Sequence, residues 1–210
     1  MRNQFDKELI KLNNEMLEMG MLIENAIKTA SELLLKRDEK KAELVYEYEE
    51  EIDRMEDIIQ NHCLRLFIEQ QPVASDLRTV SSTLKMITDM ERIGDQCRDI
   101  AEITLNLPEG LKIKSVDHII DMSDATVKMV NDTLQSYVNR DIKMAEKIRF
   151  DDDVVDDYFI QVRDDLIQMI KEDSLDASAI IDLLMIAKYL ERIADHAVNI
   201  SKWVIFSIRG

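Results

Sequence analysis

The segment ERIGDQCRDIAE at 91–102 returns one hundred residues later as ERIADHAVNISK at 191–202. Over 84–102 against 184–202, six of nineteen positions are identical: Leu, Glu, Arg, Ile, Asp and Ile. A weaker echo pairs EEEID at 49–53 with DDDVVD at 151–156 at an offset of 103, so that Glu49 answers to Asp152 and Asp53 to Asp156. A period near 100 residues is too long for a solenoid unit. The chain must therefore fold as two copies of one domain.

Helical periodicity says what each copy is. Phe5, Leu9, Leu12, Met16, Met19, Ile23, Ala26, Ala30 and Leu33 recur at spacings of three and four, which predicts one amphipathic helix over about 3–36. Asp38 caps a second, over about 39–68, with Val45, Ile52, Met55, Ile59, His62 and Leu66 on its apolar stripe. QQPVASD breaks the chain, with Ser75 as the cap of a third helix reaching Asn106. Periodicity stops again at NLPEGLKIKS, 106–115, the expected boundary between copies. Ser115 then caps a fourth helix to about 139, Asp141 a fifth to about 172, and a sixth runs over about 176–207. Each is far longer than the ~11-residue mean, so extended bundles follow. Only four Gly and two Pro occur, too few for an all-β chain. The expected fold is all-α: two tandem, similar three-helix bundles of six long antiparallel helices, 1–107 and 108–210.

Charge and cysteines narrow the functional classes. A net charge of −16 argues against nucleic acid or an anionic membrane face as a partner. Cys63 and Cys97 make no disulfide framework and fit a reducing cytoplasm. The N-terminal MRNQFDKELIK has no apolar signal core, and no apolar run of ~20 residues is present to span a bilayer.

The acids carry the chemistry. On the third helix Val80, Leu84 and Ile87 form a stripe that turns acidic at Glu91 and Asp95, with Asp99 at its edge. The sixth repeats this: Ile180, Leu184 and Ala187 lead to Glu191 and Asp195, then Asn199. Like charges one turn apart repel by a few tenths of a kcal/mol, and doing so twice at matching positions asks for a compensating cation. The second and fifth helices add Glu49 with Asp53 and Asp152 with Asp156 beside their own stripes. An all-carboxylate set suits hard cations such as Mg, Mn or Ca, or multinuclear iron or zinc with bridging oxygens. The bland alternative is a solvated acidic face, to which Glu50, Glu51, Glu56, Asp57 and Asp151 are assigned. His62 reads as a satisfied core residue, His118 as capping or solvent-exposed, and His196 as no shared ligand because its repeat mate is Gln96. Arg92 and Arg192 point away from the core, toward acids of the next helix or a partner. No Glu-x-x-His, HExxH or nucleotide-binding glycine pattern occurs, and no nucleophile–base constellation. The rival class, a carboxylate-bridged hydrolase or oxidase, therefore lacks its histidine ligands and general base.

PVASDLR at 72–78, KMITDMERIGDQCRDIAE at 85–102 and MIAKYLERIADHAVNIS at 185–201 resemble the PhoU family across essentially the whole chain. The resemblance implies two three-helix bundles and multinuclear metal clusters at (Glu/Asp)xxxAsp motifs, here Glu49/Asp53, Glu91/Asp95, Asp152/Asp156 and Glu191/Asp195. It implies a cytoplasmic homodimer without enzymatic activity, a negative regulator of the phosphate-starvation response. Its partners would be a sensor histidine kinase and the ATPase subunit of the phosphate ABC transporter, with the membrane met only through them. Ala194 departs from the motif, which commonly has Gly there.

Overall fold

The computed structural model describes residues 2–108 and 114–210. Six helices account for nearly all of them: α1 (Arg2–Leu35), α2 (Glu39–Gln70), α3 (Ser75–Asn106), α4 (Lys114–Val138), α5 (Ile142–Glu172) and α6 (Ala177–Arg209). No helix among the described residues is long and apolar enough to cross a membrane.

Side-chain caps set three of the starts. Asp38 accepts from the Lys40 backbone N–H at 3.0 Å, Asp141 from Met144 at 3.1 Å and Asp176 from Ser178 at 2.9 Å. Two expected caps fail. Ser75 is already helical, and the cap position is Ala74, with φ 50 and no side-chain bond. Ser115 is likewise inside α4, which begins at Lys114. Pro72 forces the break before α3, so a left-handed turn rather than a hydroxyl defines that start. The interior of the 106–115 linker lies outside the described residues.

α1, α2 and α3 pack on one another, as do α4, α5 and α6. The two bundles then join along α1 against α4 and α3 against α6, the latter the most extensive helix pair. One buried apolar cluster runs from Phe5 to Val204 through both seams. Both seams are antiparallel. A Cβ on Gly20 would meet Leu134, while Ser31, further along α1, bonds Ser123, earlier in α4. Gly20 and Ser31 lie 103 residues before Ser123 and Leu134, so these contacts are each other's repeat mates. The molecule thus has a pseudo-two-fold axis between its halves.

The repeat conserves volume rather than residues. A Cβ on Gly94 would sit 3.2 Å from both Cδ1 and Cγ2 of the fully buried Ile52. The mates of that pair, Ala194 and Val155, are fully buried too: in the repeat the small residue has gained a methyl and the branched one has lost one. Gly94→Ala gains about 1 kcal/mol of helix propensity and loses ~1–3 kcal/mol to crowding. Ile52→Val alone opens a cavity costing ~1 kcal/mol. The double variant should nonetheless be more stable than Gly94→Ala alone by about 1 kcal/mol in a denaturant double-mutant cycle. Strict additivity would show that the two side chains do not share this space.

Candidate metal centre

The approach of Gly94 to Ile52 sets the register of α2 against α3 and carries the acids with it. Glu49 and Asp53 flank Ile52, Glu91 and Asp95 flank Gly94, and all four fall on the α2–α3 groove. Burial is the first cause that raises the Glu49 carboxyl; Arg98 opposes it, while Asp53 and Asp95 add to it. Asp53 is raised by burial, then by Asp95 and Asp57. Glu91 is pushed from its ordinary 4.5 up to about 7, by burial first and then by Asp95, with Arg92 opposing. Glu56, assigned above to the solvated face, belongs here instead. It accepts from Thr88 at 3.3 Å, is raised chiefly by burial, and its charge acts on Glu91.

α5 and α6 repeat the arrangement. Asp152 is pushed from 3.8 up to about 6 by burial, then by Asp156, Asp195, Asp153 and Glu191. Asp156 is raised by burial, then by Glu191 and Asp195. Each groove therefore gathers one i,i+4 carboxylate pair from each helix, and Glu56 adds a fifth acid to the first. Among the described residues no three carboxylates, imidazoles or thiols converge as a ready-made ligand set. Side-chain cations lie on the acids: Arg98 donates to Glu49 at 3.0 Å, Arg92 to Asp95 at 2.8 Å, and Lys188 to Glu191. Arg92 thus pairs within its own helix rather than with the next one.

Asp99 and Asn199 make their contacts elsewhere, at the α3–α6 seam. Asp99 is raised mainly by burial and is hydrogen-bonded with Tyr189. Asn199 accepts from Lys202 at 3.1 Å and lines a cleft with Asp89, Trp203 and Phe206.

All three histidines clasp carboxylates on neighbouring helices. His62 is buried, its Nδ1 2.6 Å from Glu15 and its Nε2 3.1 Å from Glu8. His196 Nδ1 lies 2.8 Å from Asp89 across the seam. His118 is neither a cap nor solvent-exposed, because its Nδ1 lies 2.7 Å from Asp165 and its side chain is 17% exposed. The 103-residue offset carries Glu15 onto His118 and His62 onto Asp165. Acid and imidazole have exchanged helices between the bundles while the clasp stays in place. That exchange is readable in the sequence once the offset is applied to α1, a helix whose repeat is not otherwise visible.

The PhoU domain model matches the chain twice, over residues 16–104 and 119–204. The chain belongs to the PhoU family. The matched spans fall within α1–α3 and α4–α6, so each three-helix bundle is one PhoU domain. A phosphate-specific transport system accessory protein PhoU homolog from Clostridium acetobutylicum is 35% identical over 210 residues, all of this chain and 96% of that one. The crystal structure of PhoU from Pseudomonas aeruginosa superposes with a TM-score of 0.91 at 31% identity, covering 98% of this chain and 99% of that one. The phosphate transport system regulatory protein PhoU from Streptococcus pneumoniae gives 0.90 at 28% identity, over 98% and 97%.

Proposed function

We propose that this chain is a metal-binding negative regulator of phosphate homeostasis that links the phosphate ABC transporter to a sensor histidine kinase. The observation that carries the accessory and regulatory role is full-length membership of a family whose relatives bear the names accessory and regulatory protein of phosphate transport. In this reading the chain works in the cytoplasm as a homodimer, through contacts with the kinase and the transporter's ATPase subunit, and domain boundaries fall at 107/108. It transmits state rather than performing chemistry: among the described residues the polar clusters are clasps and acid grooves, without a nucleophile beside a base.

The metal part of the proposal rests on the donor set. Eight carboxylates in two matched grooves offer only oxygen, which suits iron or zinc in a bridged multinuclear cluster and also Mg, Mn or Ca. Glu49, Asp53, Glu91 and Asp95 would hold one group, and Asp152, Asp156, Glu191 and Asp195 the other; Asp99 and Asn199, engaged at the α3–α6 seam, stand outside both sets. A bound cation would supply the positive charge that the raised carboxyls of Glu91 and Asp152 call for.

Deleting the gene should derepress phosphate-starvation genes in phosphate-rich medium, read with a reporter fused to a starvation-induced promoter. Unchanged expression, together with failure to co-purify with kinase or ATPase subunit, would remove the regulatory assignment. A second reading, a carboxylate-bridged hydrolase or oxidase, would be supported by phosphatase or oxidase turnover from the metal-loaded protein.

A further inference from the structure

The two acid grooves carry matching pairs of carboxylates but not the same cations. In the first, Arg98 is built into a clamp. Its Nη1 donates to Glu49 at 3.0 Å, its Nε to Glu102 at 3.2 Å, and its guanidinium lies 5.2 Å from the centre of the Tyr46 ring. Arg92 holds the other helix: Nη1 donates to Asp95 at 2.8 Å, and Nε is 3.4 Å from Glu91. Of the four acids in its i,i+4 pairs, Glu49, Glu91 and Asp95 are therefore ion-paired within the protein.

The repeat has removed every part of this from the second groove. The mates of Arg98, Glu102 and Tyr46 are Val198, Lys202 and Arg149. Arg192, the mate of Arg92, turns to the seam and lies 5.9 Å from the centre of the Tyr189 ring. Lys188 is this groove's own cation, on Glu191 and 5.7 Å from the Phe159 ring centre. Among the described residues Asp152, Asp156 and Asp195 have no ion pair.

We infer that the grooves fill in a fixed order, the α5–α6 groove first, because the α2–α3 groove is held by Arg98 and Arg92 and must break three ion pairs to admit a cation. The α5–α6 groove breaks one, to a flexible ammonium with a single carboxylate contact. Arginine is also the harder cation to displace, since its planar fork loses less freedom per bond and cannot shed its proton. This inference rests on the metal reading above. It adds that one site is resident and the other responsive to metal supply, with the two arginines setting its threshold.

The test is a titration of the full-length, metal-stripped protein with Mn²⁺, read as loss of the free-ion resonance signal, and with Zn²⁺ by calorimetry. Two steps are expected, the tighter abolished by Asp195→Asn and the weaker by Asp53→Asn. Arg98→Gln and Arg92→Gln should each tighten the weaker step by about tenfold and leave the tighter one unchanged, the scale of a charge-assisted pair. Both arginines are exposed, 42% and 56%, so the variants fold, and a melting curve checks it. A single uniform step, a tight step that answers to Asp53→Asn, or arginine variants that bind as wild type would overturn the order while leaving metal binding intact. No uptake of either ion by any of these proteins would overturn the metal reading and this inference with it.

Discussion

In metal-free buffer at pH 8, the double variant Glu91→Gln/Asp152→Asn should be more stable than the wild type by ~2 kcal/mol, about 6 °C in melting temperature for a chain of this length. The substitutions keep shape and remove charge from groups whose ionised form is disfavoured by burial and by the acids one turn away. The sign follows from linkage. Glu91 goes from its ordinary 4.5 to about 7 in the fold and Asp152 from 3.8 to about 6. Between those limits the folded protein binds more protons than the unfolded chain, so stability falls as pH rises through the folded values. Wild type should therefore gain stability on going from pH 8 to pH 5, while the double variant stays flatter and the two curves meet at the acid end. Chelated samples separate this from metal effects. Equal stability of the two proteins at pH 8 would mean that the grooves are solvated well enough to carry their charge without cost.

Much of this architecture is legible from periodicity, because a helix's buried face depends on its own residues alone. Asp38 and Asp141 cap where expected, since an N-cap acts on backbone two or three residues away. Ser75 fails because Pro72 and the positive-φ Gln71 and Ala74 reshape the chain before it. The acid grooves were likewise readable as faces, and the small residue of the first ERI(G/A)D motif faces the branched Ile52, whose repeat mate Val155 is buried as Ala194 is. The partners of long side chains were not readable. Arg98 lies on no apolar stripe and answers to Val198 in the repeat, yet it reaches Glu49 on another helix because α2 lies alongside. His118 looks exposed in the first turns of α4 until α5 brings Asp165 to it. Glu56 answers to Phe159, so the repeat does not mark it as a groove acid, but symmetry marks what the duplication kept rather than all that a groove contains. Such pairings depend on which helix is the neighbour and at what height, and that information is spread over the whole packing.

Gly20→Leu should cost about 3 kcal/mol, and the cost should be shared by both bundles. α1 and α4 approach closely at Gly20, where even a Cβ would intrude on the Cδ1 of Leu134 and meet its Cγ at 3.5 Å. Leu134 is 4% exposed, so it has no solvent to swing into. The ~1 kcal/mol of helix propensity gained on replacing glycine does not offset a whole isobutyl group driven into a packed seam. The mate contact shows the alternative solution: Ser123 faces Ser31, whose hydroxyl also bonds the Ile27 carbonyl at 2.8 Å. There, two small residues replace a large one against none. Leu134→Ala alone leaves a cavity and costs ~3 kcal/mol. Combined with Gly20→Leu it hands the space to the other helix, so the double variant should recover most of the loss. Because one buried cluster runs through both seams, wild type should melt in a single calorimetric transition. For the same reason the Gly20→Leu variant should lose amide protection in α5 as well as in α2, although α5 does not pack on α1. Protection lost in α1 to α3 alone, with α5 unchanged, would show that the bundles fold independently and that the seams are only contacts between two finished domains.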